Sequence, residues 1–398
     1  MNLLHLVSEQ NAQNLLPLLA FRPKNVIQVR SSGEHYEKMA ARLQGAVEEL
    51  ARSGRWLFPS PNFIDWPIPC ETPTVGQSCR SVAEALSRWP ECVVNLTGGT
   101  KQMSIGAYHA AEDQRRPALY CDSQAGEFRS LSKKNPLPAS PSFKEAAHFL
   151  TVKSLLTLHG IDPQQLRSTN PTDAEIQFAH AVYDIHQCHE NELRALLQSI
   201  RAQLYPDGRR PATVGQIEGI LRDGLPQGDT PVACNFYSAA QEAGYLLMEN
   251  GHFFYRMEER NIGNRARLQR ALKLSKALVG GWYEVLVYDH MREGGRFHDL
   301  QTEIQSRNAE QALGETDIVG VNLQKPGLIF VSCKLSGDAL QKPLEHVFAT
   351  RQRATEFGGT FAEAVLCVLV IREQQKRDLE TACRVARVRL VTNLEEFA

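Results

Sequence analysis

The sequence predicts an α/β protein, with two α/β domains flanking a mostly helical middle. Three observations point there. Short apolar strands alternate with helical patterns through the first third. The run Lys133-Lys-Asn-Pro-Leu-Pro-Ala-Ser-Pro141 then breaks the alternation, and strands framed by helices return over about the last 135 residues. Alternation of this kind argues for a doubly wound parallel sheet, and three prolines within six residues mark a linker. The expected domains are 1–140, 141–262 and 263–398, in line with a prior of about 150 residues per domain.

The elements follow in order. Strands are expected at Asn2–Ser8 and Asn25–Arg30, with helices at Gln13–Ala20 and His35–Arg52. After a proline-rich passage from Pro59 to Pro73 come a helix near Ser81–Arg88, a strand at Cys92–Thr97, a helix from Lys101 and a strand at Ala118–Asp122. Gly126–Leu131 adds a last strand to this sheet. The middle reads as helices at Phe143–Leu158, Ala174–Leu204, Thr213–Leu221 and Ala239–Glu249, then a short strand at His252–Met257, which together suggest a compact helical, winged-helix-like module. A long helix, Asn264–Met291, opens the last part. Strands at Leu300–Arg307, Thr316–Asn322 and Leu328–Lys334 follow, then a helix at Ala339–Phe357, a strand at Ala364–Ile371, a helix at Glu373–Val388 and a final strand to Thr392.

Composition narrows the function classes. With 42% hydrophobic and 22% charged residues the chain is globular, and a net charge of -1 excludes a uniformly basic nucleic-acid binder. Nine cysteines with no CxxC pair read as reduced thiols. The N-terminus has no basic region and only a short apolar run, and no stretch approaches the roughly 20 apolar residues of a membrane span. A soluble, cytoplasmic protein with no membrane partner is expected. His186, Cys188 and His189 have no second ligand pair at zinc spacing and are read as structural.

Two constellations carry chemistry. In Val93-Val94-Asn95-Leu96-Thr97-Gly98-Gly99-Thr100-Lys101, a buried strand runs through a glycine turn into a helix. Glycines let backbone approach a ligand, and the first free N–H groups of the helix favour an anion. Thr97 and Thr100 add hydroxyls and Lys101 a positive charge. An ordinary strand-to-helix connection would account for the glycines alone, but not for two threonines and a lysine beside them. Ser8 to Gln10 end the first strand on the same side of the sheet, where ligands of such sheets sit. The spacing is neither a Walker loop nor a dinucleotide fingerprint.

The phrase Asn95-Leu-Thr-Gly-Gly-Thr-Lys-Gln-Met-Ser104 resembles the ligand loop of CARF domains, the Rossmann-like sensors of CRISPR systems. The resemblance implies a cyclic oligoadenylate as ligand.

The second constellation lies near the C-terminus. Glu284 sits on the long helix, Glu315 and Asp317 open one strand, and Lys334 ends the next. If those strands form a hairpin around Gln324–Gly327, Asp317 and Lys334 share one end of it, each about eight residues from the turn. Carboxylates can hold a divalent cation through hard oxygen ligands while a lysine orients or deprotonates water. A strand-end acid or lysine taken singly is more often a solvated exit. The order of helix acid, hairpin acid and strand-end lysine resembles the PD-(D/E)xK core of restriction-endonuclease-like nucleases, with one departure. Ser332 stands where that motif has an acid, so Glu284 or Glu315 would compensate. Arg265, Arg267, Arg270, Lys273 and Lys276 precede the site with no acid among them from Asn261 to Gly281, a cationic stretch that would attract a phosphodiester backbone.

The whole chain resembles the CARF-nuclease family of CRISPR ancillary effectors. That resemblance implies a homodimer gated by cyclic tetra- or hexa-adenylate, the tetra-adenylate favoured, and cleavage of DNA or RNA with Mn2+ or Mg2+ in type III antiviral defence. Two other readings stay open: a messenger-regulated nucleic-acid-binding protein without cleavage, and a sensor that degrades its own messenger.

Overall fold

The structure, a computed structural model, describes residues 1–9, 11–122, 125–132, 134–138, 142–204, 224–225, 230–249, 252–255, 270, 273–306, 316–336, 343–359 and 362–397. The first sheet is built from β1 (Asn2–Leu6), β2 (Asn25–Ser31), β3 (Asn62–Ile68), β4 (Cys92–Asn95), β5 (Ala118–Asp122) and β6 (Glu127–Ser130). Their order is β3-β2-β1-β4-β5-β6, parallel throughout except for the antiparallel β5–β6 hairpin. Helices α1 (Ala12–Phe21), α2 (Glu34–Arg52), α3 (Val75–Arg88) and α4 (Lys101–Asp113) connect the strands. β1 is buried on both faces. Leu4 and Leu6 pack with Val82, Ala85 and Ala107 of α3 and α4, while Leu3 packs with Leu16, Leu43 and Val47 of α1 and α2. Burial on two faces is why three of its five residues are leucines, with His5 buried among them.

Two short helices, α5 (Phe143–Ala147) and α6 (Val152–Leu158), join the first sheet to the second. The second sheet comprises β7 (Leu166–Thr169), β10 (Phe297–Ser306), β11 (Thr316–Asn322), β12 (Gly327–Ser336), β13 (Glu363–Val370) and β14 (Arg389–Val391), in the order β14-β13-β12-β11-β10-β7. β10, β11 and β12 are antiparallel neighbours, and β12, β13 and β14 run parallel. A separate hairpin pairs β8 (Leu246–Glu249) with β9 (His252–Tyr255). Helices α7 (Asp173–Leu204), α8 (Pro231–Glu242) and α9 (Trp282–Glu293) share a core with one face of the second sheet, whereas α10 (Pro343–Gly358) and α11 (Glu373–Ala386) pack on the other. A single core runs from Leu3, Val93 and Leu119 through Phe143 and Leu155 to Val321, Phe330 and Leu366. The two sheets are thus cemented within one chain. At one edge the β5–β6 turn meets the β11–β12 turn: a Cβ on Gly126 would lie 3.6 Å from the Gln324 carbonyl oxygen.

Most expected elements stand within a few residues of their place. Three strands, β3, β7 and β8, were not expected, and β3 and β7 are edge strands of the two large sheets. Pro67 in β3 is tolerated there because an edge strand leaves one side of its backbone unpaired. The expected helix Ala239–Glu249 is instead the end of α8 followed by β8: Thr230 caps α8 with Pro231 in the first turn, and Gly244 at φ 77° reverses the chain. Phe143–Leu158 is split because Thr151 caps a second helix. Asn264–Met291 is not one α-helix. Its described part contains a π turn, Ala277–Gly281, immediately before α9. The helix expected at Thr213–Leu221 lies outside the described residues, as do Gln10, Arg265, Arg267 and Glu315.

Candidate active site and ligand loop

The β11–β12 hairpin builds the first part of the site. Its register pairs Ile318 with Val331, which sets Asp317 level with Ser332. One Asp317 oxygen, Oδ2, accepts from the Cys333 backbone N–H at 2.6 Å and from the Ser332 hydroxyl at 3.3 Å. The Lys334 Nζ lies 3.6 Å from the same oxygen and donates to the Cys333 carbonyl at 2.9 Å. Asp317, Ser332 and Lys334 therefore converge, and Ser332 contributes a hydrogen bond where the motif has a charge.

Glu284 enters from α9. Its carboxyl is pushed up to about 8, first by burial and then by the charge of Asp317, against the lowering pull of Lys276 and Lys334. Lys276 lies 4.0 Å from Glu284 Oε2 and 3.4 Å from Glu303 Oε1. Glu303 was not foreseen from the sequence. It sits on β10 at φ 50°, where the pairing with β7 shifts register between Thr302 and Gln305, and the Thr169 hydroxyl donates to its Oε2 at 3.3 Å. A bulge re-aims side chains in this way, and no spacing rule reports it. A cavity of about 230 Å³ opens against Glu284 and Glu303, with Lys273, Lys276 and Tyr245 in its wall. Arg270 precedes this helical turn and has a partner of its own.

The donor set has the chemistry of a hard-cation site: two partly buried, mutually repelling carboxyl groups with a hydroxyl and a lysine beside them. Among the described residues no three carboxylate, imidazole or thiolate groups converge tightly enough to hold an ion unaided. A cation of the magnesium or manganese kind takes one or two carboxylates from a protein and completes its shell with water and substrate phosphate. His186, Cys188 and His189 form no such group either; His189 marks a kink inside α7.

The ligand loop shows its own bonding. Asn95 holds it: Oδ1 accepts from the Thr97 backbone and hydroxyl at 3.1 and 2.7 Å, and Nδ2 donates to Asn14 Oδ1 at 3.0 Å. Asn14 in turn donates to the Leu6 carbonyl at 3.0 Å. Neither role was foreseen, since a buried asparagine network carries no motif. The Thr97 hydroxyl accepts from the Cys121 N–H at 2.7 Å, and Thr100 caps α4 by accepting from Met103 at 3.2 Å. The two hydroxyls thus have structural bonds of their own. The two glycines also serve the packing of the loop. A Cβ on Gly98 would come 2.2 Å from the Leu6 carbonyl oxygen, and one on Gly99 2.8 Å from the Leu6 Cβ. Their lack of side chains first lets the loop lie on β1, with Gly99 at φ 72°. Lys101 is exposed, with no protein partner among the described residues. The Ser8 hydroxyl, beside Gly98, is buried without a hydrogen-bond partner among the described residues.

No family model matches the sequence, and no curated protein matches it. Solved structures do. The chain superposes on protein VC1899 from Vibrio cholerae with a TM-score of 0.71 at 14% identity, covering 100% of this chain and 95% of that one. It also superposes on Can2 from Sulfobacillus thermosulfidooxidans, solved in complex with cyclic tetra-adenylate. There the TM-score is 0.67 at 18% identity, over 99% of this chain and 96% of that one. The chain shares the fold of these two proteins. The likeness to VC1899 and Can2 extends over both sheets and the helices between them, and it confirms the α/β class expected from the sequence.

Proposed function

We propose that the chain is a metal-dependent nuclease switched on by a cyclic oligoadenylate, with cyclic tetra-adenylate the favoured messenger, and that it serves type III CRISPR defence. One observation carries the enzyme reading: Lys334 stands 3.6 Å from Asp317 at a hairpin end, with the buried carboxyl of Glu284 close enough to feel both charges. The messenger reading is supported by the Asn95–Ser104 loop and by the shared fold with Can2, a protein solved with cyclic tetra-adenylate.

Mn2+ or Mg2+ would be held by Glu284 and Asp317, with Glu315 a further candidate, and when bound would neutralise charge on the scissile phosphate. The chain's own groups do the rest. Cys333 and Ser332 fix the Asp317 carboxylate by hydrogen bonds. Lys334, anchored on the Cys333 carbonyl, is placed to orient water or hold a phosphate oxygen. In the sensor, Lys101 and the first N–H groups of α4 offer a positive terminus to a messenger phosphate, and Ser8 offers a hydroxyl. A homodimer would present two copies of the loop to a symmetric ring. Arg265, Arg267, Arg270 and Lys273 remain proposed contacts for the DNA or RNA strand.

The decisive test incubates purified protein with Mn2+, single-stranded and duplex DNA and RNA, and a panel of cyclic oligoadenylates. Cleavage of nucleic acid only with messenger present supports the reading. Binding without cleavage would point to a regulatory nucleic-acid binder, and loss of the messenger alone to a messenger-degrading sensor.

A further inference from the structure

We infer that Lys276 is an internal counter-ion of the active site: its ammonium, held by Glu303, stands beside the Glu284 carboxyl that a divalent cation shared with Asp317 would need. The inference rests on the nuclease reading of Glu284 and Asp317. Three observations carry it. The ammonium is shared, 3.4 Å from Glu303 and 4.0 Å from Glu284. The partner that holds it is placed at a cost, because Glu303 adopts φ 50° at a register shift in β10 and is further oriented by the Thr169 hydroxyl. Non-glycine residues in that backbone region persist where surroundings enforce them, and they cluster at functional sites. Finally, Lys276 immediately precedes the π turn Ala277–Gly281 that leads into α9. Residues eight apart in an α-helix are separated by about 12 Å along the axis, so Lys276 and Glu284 are no ordinary one-turn surface pair.

A divalent cation approaching the same oxygens meets a charge of its own sign. Lys276 therefore weakens metal binding in the resting protein. A phosphodiester entering the cleft lined by Lys273 and Lys276 offers the ammonium a second anion, so substrate and metal would favour each other's binding. Lys276 is in this sense a positioning residue, and Glu303 acts through it.

The test is calorimetric titration of Mn2+ into the full-length protein without messenger or nucleic acid, with circular dichroism to verify folding. Lys276→Met is expected to bind Mn2+ about tenfold more tightly, a modest part of the repulsion between close charges. Lys276→Gln should behave alike, and Lys276→Arg, which keeps the charge, should stay within about twofold of wild type. Unchanged or weaker affinity in both neutral variants overturns the counter-ion. Asp317→Asn tells that failure from one of the underlying reading. Mn2+ binding that disappears in Asp317→Asn yet ignores Lys276→Met sinks the counter-ion alone. Binding that survives Asp317→Asn places the ion elsewhere and sinks the site and the counter-ion together.

Discussion

Glu284 is the residue whose environment says most. Its carboxyl is held near 8 instead of 4.5, so the folded protein keeps a proton that the unfolded chain releases. The stability linked to that proton is complete below the unfolded value and is lost as pH rises through about 8. Metal-free wild type should therefore melt at falling temperature from pH 4.5 to about 8, where this contribution levels off, and Glu284→Gln should fall less, as read by calorimetry across that range. A bound cation favours the ionised form, so Mn2+ affinity should climb towards pH 8 and level off above it. Asp317→Ala and Lys334→Ala should each lower messenger-dependent cleavage by at least about a thousandfold while messenger binding persists. Full activity in either variant would remove that residue from the site. Lys101→Ala should weaken messenger binding by about tenfold, the worth of one charge-assisted contact, as measured by equilibrium titration. Asp317, Ser332 and Lys334 were legible because a hairpin has a countable register. Glu303 and Asn14 were not, because a bulge and a buried amide network leave no period in the sequence.

At the level of elements, burial decided what could be read in advance. β1, β4, β11 and β12 are mostly buried and mostly apolar, and each was expected within a few positions. β3 and β7 lie at sheet edges: β7 is short and mostly polar, while β3, though mostly apolar, carries Pro67 within a proline-rich passage that reads as irregular. The π turn was equally silent, since Gly280-Gly281 inside a helical pattern reads as a weak spot and no more. Helix contacts can be tested directly. Gly106 of α4 crosses α3 so closely that a Cβ would lie 2.5 Å from the Val75 carbonyl oxygen and 2.8 Å from the Cys79 nitrogen. Gly106→Ala should cost about 1–3 kcal/mol by overpacking, measured as a lower denaturation midpoint. No loss of stability would show that the two helices can part without penalty.

For the molecule as a whole, the continuous core is the dominant fact. Residues of both sheets and of the helices between them form one apolar cluster, so the first sheet is not free to swing against the second. The chain should unfold in a single calorimetric transition, with van't Hoff and calorimetric enthalpies in agreement. Two resolved transitions would contradict it. Activation would then move one protomer against its partner as bodies, and scattering profiles should change when messenger is added. Among the described residues no helix is long and apolar enough to cross a membrane. The meeting of Gly126 with Gln324 gives such a body a short internal lever. Thr97 grips β5, β5 turns onto the tip of the second hairpin, and that hairpin reaches Asp317 after roughly 20 Å of stiff strand. On the proposed reading, a shift of the loop would be carried along this path, within one rigid body, to Asp317.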